Sequence, residues 1–193
     1  PVREELADLV MARRQLSEEL TRATNQATQT VSAVVRRINQ RRVRRIEAEL
    51  KVIALEIAKA VSTEDRFASK AALMRSVPGV GVVTSSTLLA LMPELGLISN
   101  RAIASLVGVA PFDHDSGKFR GHRTIWGGRQ AVRDVLYMAA LAAIRAKTST
   151  FRTFYQGLVQ RGKKPKVAIV AVIRKLAVTL NAMLRDNQPW QTA

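Results

Sequence analysis

Residues 109–133 read VAPFDHDSGKFRGHRTIWGGRQAVR, and one hydroxyl within them, Ser116, is ringed by cations. Asp115 and Gly117 place it on a turn, and Lys118, Arg120, Arg123, Arg129 and Arg133 follow. A serine oxygen beside guanidinium groups suits attack on a phosphodiester, because fixed positive charge stabilises the phosphoryl oxygens as the transition state forms. It suits acyl transfer poorly, since no Ser/His pairing accompanies it. His114 lies two residues away on the same turn, a poor geometry for a general base and a good one for a hydrogen-bonded turn residue. The same cations also serve as phosphate clamps around an inert serine, for Asp-Ser-Gly is ordinary turn grammar.

Metal chemistry has little to stand on. Asp113 and Asp115 in so basic a segment are most simply ion-paired with Arg120 or Arg123. Beyond Phe67 only Glu94, Asp134 and Asp186 remain, on separate helices, too few and too scattered for a two-metal nuclease. No metal site and no cofactor are expected in this chain.

A second constellation is Val77-Pro78-Gly79-Val80-Gly81-Val82-Val83-Thr84-Ser85. Its pattern is that of a helix-hairpin-helix turn. Gly79 and Gly81 permit close backbone approach, and the N–H groups of Val82 and Val83 then point at a phosphate from a helix start. Such contacts position a duplex without reading its bases. A plain helix connection that binds nothing fits the same letters. Gly127-Gly128-Arg129 resembles another glycine turn offering amides and a guanidinium to phosphate. Phe112, Phe119 and Trp126 suit stacking on unpaired bases or packing in a core. A third group, Arg36, Arg37, Arg41, Arg42, Arg44 and Arg45, reads as an arginine-rich grip on nucleic-acid backbone, with Arg36, Arg37, Arg41 and Arg42 as its candidate contacts, or as a solvated face offset by Glu47 and Glu49.

Composition supports the polyanion reading. The 193 residues hold 31 Lys+Arg against 15 Asp+Glu, a net charge of +16 and a pI near 11.4. Through Arg66 the excess is 3; from Phe67 onward it is 13, so the C-terminal part is the one expected to meet phosphates. An apolar fraction of 47% is high for a ribosomal or chromatin-like packing protein. Absence of Cys excludes disulfides and thiolate metal sites, and two His cannot build a structural zinc site. No signal peptide is read at Pro1–Val10, and the apolar run Val167–Ile173 is too short to span a bilayer. A cytoplasmic, nucleoid-associated protein without a membrane partner is expected, and the start at Pro1 reads as a fragment or processed product.

These groups must be held by helices. Val2, Leu6, Leu9, Arg13, Leu16 and Leu20, then Val43, Ile46, Leu50, Ile53, Ile57 and Ala60, recur at coiled-coil spacing on either side of a polar stretch, Thr21–Thr30, read as a turn or frayed tip. The expectation is an antiparallel coiled-coil hairpin over 1–61, with a parallel coiled-coil dimer as the competing arrangement. From 62 to 193 the pattern predicts a compact all-α domain containing the helix-hairpin-helix-like turn. Its helices run to Arg75, over Thr84–Leu91, over Ile103–Leu106 capped by Asn100 and stopped by Gly108, and over Ala131–Ala146. A short helix capped by Ser149 or Thr150 and ended by Gly162 follows, then a last one entered at Pro165. Only Phe119–Ile125 hints at an extended ribbon.

The order of these elements carries a resemblance. It rests on the Val77–Gly81 turn, Leu106-Val107-Gly108-Val109-Ala110-Pro111, Asp115-Ser116-Gly117, Gly121, Ile125, Gly127-Gly128-Arg129 and Val132-Arg133. Leu136-Tyr137-Met138-Ala139-Ala140, Phe154-Tyr155 and Arg174-Lys175-Leu176 complete it. The chain resembles the C-terminal part of DEDD-type insertion-sequence transposases related to the Piv pilin-gene invertase, also described as bridge-RNA-guided recombinases. The resemblance implies a coiled coil and a transposase domain whose serine, matched here by Ser116, attacks DNA to form a phosphoserine link. It also implies an N-terminal RuvC-like domain whose acids hold Mg2+; that domain has no counterpart in this chain, so the chain alone is expected to bind nucleic acid without completing transposition. DNA, a guide RNA, and a homodimer or tetramer through the coiled coil are the implied partners. Two other readings stay open: a non-catalytic nucleic-acid-binding module, and a coiled-coil scaffold.

Overall fold

The computed structural model describes residues 2–110, 125, 127–147 and 149–191, among which there are eight α-helices and no strand, as the all-α reading requires. Contacts divide the chain into two units, Pro1–Ala68 and Ser69–Ala193.

The first unit is a helical hairpin. α1 (Val2–Gln29) and α2 (Ala33–Thr63) are joined by Thr30–Ser32 and pack on each other, burying Leu6, Val10 and Ala23 of α1 and Ile46 and Ile57 of α2. The polar stretch Thr21–Thr30 is not a tip. α1 continues through it to Gln29 because its hydroxyls bond back along the helix, Thr21 to Ser17 O (3.0 Å) and Thr28 to Thr24 O (2.9 Å), rather than competing with it. Ala23, fully buried, supplies the contact where large apolar anchors are missing. Leu9, Leu16, Leu20, Leu50 and Ile53 of the expected seam are half-buried, since two helices alone cannot cover a full stripe.

The second unit takes in α3 (Asp65–Arg75) from Ser69 onward, then α4 (Val82–Leu91), α5 (Asn100–Val107), α6 (Gln130–Arg145), α7 (Thr150–Gln160) and α8 (Pro165–Asp186). α8 is its centre: α5, α6 and α7 all pack against it, while α4 packs on α6. With 22 residues and a mean hydropathy of 1.9 over an 18-residue window, α8 is long and apolar enough to cross a membrane, a length hidden when only the uninterrupted run Val167–Ile173 is read. Its apolar face is instead core, with Ala168, Val172, Ile173, Leu176, Ala177, Leu180 and Met183 buried. Ser99, not Asn100, caps α5 by accepting from Ala102 N–H (3.3 Å). Ser149 caps α7, and Pro165 opens α8. At the C-terminus Trp190 stacks on Phe151 at 5.4 Å, and its backbone N–H donates to Ser76 Oγ.

Asn100 is displaced from the cap by a neighbour that periodicity does not mark. Asn181, fully buried on α8, accepts from Gly96 N–H (2.7 Å) and donates to Ile98 O (3.0 Å) and Asn100 Oδ1 (2.9 Å). One amide thereby fixes the α4–α5 connection to the central helix. Asn181→Ala orphans a buried N–H and carbonyl while opening a cavity, so chemical unfolding should show a loss of about 2–4 kcal/mol. Asn181→Leu, which keeps the volume, should recover little of it.

Candidate nucleic-acid interface

The Val77–Gly81 turn forms where Val77 N–H reaches back to Met74 O and Val80 N–H to Val77 O. Its two glycines do different things. Gly79 sits at φ +88°, and a Cβ there would run into Ala139 O and, at 2.7 Å, Ala143 N of α6. Close approach at Gly79 is therefore to α6. Gly81 has an ordinary φ of −97°, nothing within 4 Å of its would-be Cβ, and serves as N-cap of α4. Val82, half exposed at 51%, and Val83 follow it in the first turn, whose amides have no carbonyl behind them to bond. If this turn touches phosphate, it does so at Gly81–Val83. Gly81→Ala should then weaken duplex binding in an anisotropy titration while costing under about 1 kcal/mol of stability. Gly79→Ala should do the reverse, destabilising the fold by a few kcal/mol through α6.

Ser116, Lys118, Arg120 and Arg123 lie outside the described residues, as do Phe112, Asp113, His114, Asp115, Phe119 and Trp126. What the structure does describe is how the chain is held on either side of them. α5 ends at Gly108 in the left-handed conformation (φ +77°), and Gly127 and Gly128 are left-handed in succession (φ +74° and +71°). Gly108 and Gly128 meet backbone to backbone. A Cβ on Gly128 would strike Gly108 N and lie 2.6 Å from its Cα; one on Gly108 would strike Gly127 O and the Arg133 guanidinium. Arg129 N–H donates to Leu106 O (2.8 Å), and Arg133 Nη1 donates to Val107 O (3.2 Å) and Gly127 O (2.5 Å). The feet of the serine-bearing segment are thus clamped together at the end of α5 and the start of α6.

Two cations expected at phosphate occupy that clamp. Arg129 grips Glu94 with both fork nitrogens (2.7 and 2.6 Å) and the free carbonyl of Leu91 (2.7 Å). Its bond to the carboxylate raises its pKa above the usual guanidinium value. Arg133 is engaged with Val107, Gly127 and Gln130. Glu94 gave no functional signal in the sequence, and Gly108 gave none beyond its place in the Leu106–Pro111 motif. The first was a scattered acid and the second a helix stop.

The hairpin sorts its arginines. Arg36 donates twice to Thr30 O and closes the α1–α2 turn, Arg42 grips Glu19 (2.7 Å), and Arg45 reaches Glu49 (3.4 Å). Arg42 holds the Glu19 carboxyl below its ordinary value. Arg37, Arg41 and Arg44, spaced four and three apart and exposed, share one helix face and have no carboxylate partner among the described residues. No cluster of three or more metal-ligating side chains exists among the described residues.

Comparison with known proteins converges on one group. A model of the transposase IS116/IS110/IS902 family matches residues 71–156. A pilin gene-inverting protein of Moraxella lacunata is 26% identical over 181 residues, covering 92% of this chain and 55% of that protein. A 42 kDa protein of insertion element IS900 from Mycobacterium paratuberculosis is 32% identical over 136 residues (67% and 34%), and a 43.6 kDa protein of insertion element IS110 from Streptomyces coelicolor 32% over 122 residues (62% and 30%). The chain spans about half the length of the first of these relatives and about a third of the other two.

Proposed function

With residues 71–156 placing the chain in the IS116/IS110/IS902 transposase family, we propose that it is the DNA-binding and strand-joining part of a transposase or site-specific recombinase, with Ser116 as nucleophile. The Ser116 oxygen attacks a backbone phosphorus, a sugar hydroxyl leaves carrying a proton, and the serine becomes a phosphodiester to DNA. A hydroxyl from a second strand then attacks the same phosphorus, and the serine is released. Lys118, Arg120 and Arg123 are the cations proposed to bear the charge on the phosphoryl oxygens. Arg129 and Arg133 act instead through the clamp they hold. The observation carrying this reading is that clamp, Gly108 against Gly128: it fixes both ends of a cationic segment around one hydroxyl, and such positioning is what a weak nucleophile needs.

The divalent metal that the family resemblance assigns to an acidic domain finds no group of three or more His, Cys, Asp or Glu ligands among the described residues. We place that half of the chemistry in a RuvC-like domain outside this chain. A guide RNA, and a dimer or tetramer through the hairpin, whose exposed Val52 and Leu55 leave an apolar face, complete the proposed assembly. The test is to quench the full-length protein with its DNA in denaturant and map the cross-link. A conjugate at Ser116 supports the reading; cleavage or joining without any protein–DNA conjugate overturns it. A second reading, a non-catalytic clamp, is favoured by the unpaired Arg37, Arg41 and Arg44 face, and it predicts tight binding with no conjugate.

A further inference from the structure

We infer that the α7–α8 turn is a second binding surface, one that holds the sugar–phosphate backbone of a nucleic-acid duplex. Between Asp134 and Asp186 the chain carries ten Lys+Arg and no Asp or Glu. Four of these cations, Arg161, Lys163, Lys164 and Lys166, fall within six residues at the turn, and all are exposed. None has a carboxylate partner among the described residues. The described acids of this unit are engaged elsewhere, Glu94 with Arg129, Asp134 with Gln130 and Asp186 with Arg185.

Folding alone does not account for such a cluster. No acid occupies the first turn of α8, and Lys163, Lys164 and Lys166 crowd the end of that helix where the backbone dipole is already positive. Repulsion among the lysines and from the helix opposes this arrangement, and α8 would be better served by an acid there. Arg161 does bond Gly157 O through Nε, leaving the rest of its fork outward. A Cβ on Gly162, between them, would meet nothing within 4 Å, so the surface is open. The partner that converts the penalty into binding energy is polyanionic, and its charges must be spaced to meet several side chains at once. Phosphate contacts of this kind position a duplex and carry no sequence information.

The inference rests on the chain acting on nucleic acid, and adds where the backbone is held. It is tested in the full-length protein by replacing Arg161, Lys163, Lys164 and Lys166 together with Ala. Affinity for a DNA duplex and for an RNA duplex is then measured across a salt series. If the four side chains neutralise four phosphates, the slope of log affinity on log salt for DNA should flatten by about 3 to 4. A control neutralises Arg3, Lys51, Lys59 and Arg66, four exposed cations of the hairpin unit, and should leave the slope nearly as it was. An unchanged slope in the turn variant, or an equal change in both, overturns the proposal. Flattening on both duplexes assigns a shared backbone site, and flattening on one alone assigns that duplex as occupant. Ser116→Ala should leave this measurement untouched, so the surface and the nucleophile stand or fall separately.

Discussion

Ser116→Ala in the full-length protein is expected to leave DNA affinity within about twofold of the parent and to abolish the denaturation-resistant protein–DNA conjugate. Strand exchange should fall by on the order of 10^4-fold or more, the scale seen when a covalent nucleophile is removed. The asymmetry follows from the chemistry. A serine hydroxyl contributes little to holding a polyanion, which the unit does with a net excess of 13 cations from Phe67 onward, but it supplies the atom that bonds to phosphorus. Ser116→Cys separates chemistry from geometry: a thiol in the same place should give weak conjugate formation at higher pH, where the thiolate is populated. A Ser116→Ala protein that still formed conjugate at the parent rate would place the nucleophile elsewhere. A parent protein that bound DNA tightly and formed no conjugate would favour the non-catalytic reading.

The helices of the second unit were legible in the sequence because their boundaries are written in local chemistry: Gly108 in the left-handed cap, Ser149 before α7, Pro165 opening α8. The α1–α2 turn was misplaced because polar Thr and Gln look like a loop unless the threonine hydroxyls bond back along the helix, a choice decided by packing at Ala23. The site was legible by residue type and not by role. An arginine near a serine looks the same on paper whether its fork faces phosphate or, as with Arg129, a carboxylate 35 residues earlier and the end of α4. The Gly79 signal was read as room for a ligand, yet the atoms that need the room belong to α6. Asn181 gave no signal, since a lone amide in an apolar helix acquires meaning only from Gly96, Ile98 and Asn100, more than 80 residues away.

The clamp around the serine-bearing segment makes the most discriminating structural prediction. Gly127 and Gly128 have nearly the same left-handed φ, so backbone strain from an added Cβ is nearly equal at both, about 1–2 kcal/mol. Their surroundings differ entirely: nothing lies within 4 Å of the position a Gly127 Cβ would take, whereas at Gly128 it meets backbone atoms of Val107 and Gly108. Backbone cannot swing aside as a side chain can. Gly128→Ala should therefore cost about 3–5 kcal/mol, strain plus overpacking, against about 1–2 for Gly127→Ala. Set against a typical domain stability of about 5–15 kcal/mol, the larger figure is a substantial share. The loss should also be more than thermodynamic. To relieve the contact, the start of α6 must separate from the end of α5, which stretches Arg129 N–H from Leu106 O and draws Arg133 from Val107 O. Conjugate formation should then fall further in Gly128→Ala than in Gly127→Ala, even at temperatures where both remain folded, while duplex binding through the α7–α8 turn persists. Comparable stabilities for the two variants in urea titrations would mean that α5 and α6 do not meet at these glycines, and the clamp would have to be abandoned as the device that aims the serine.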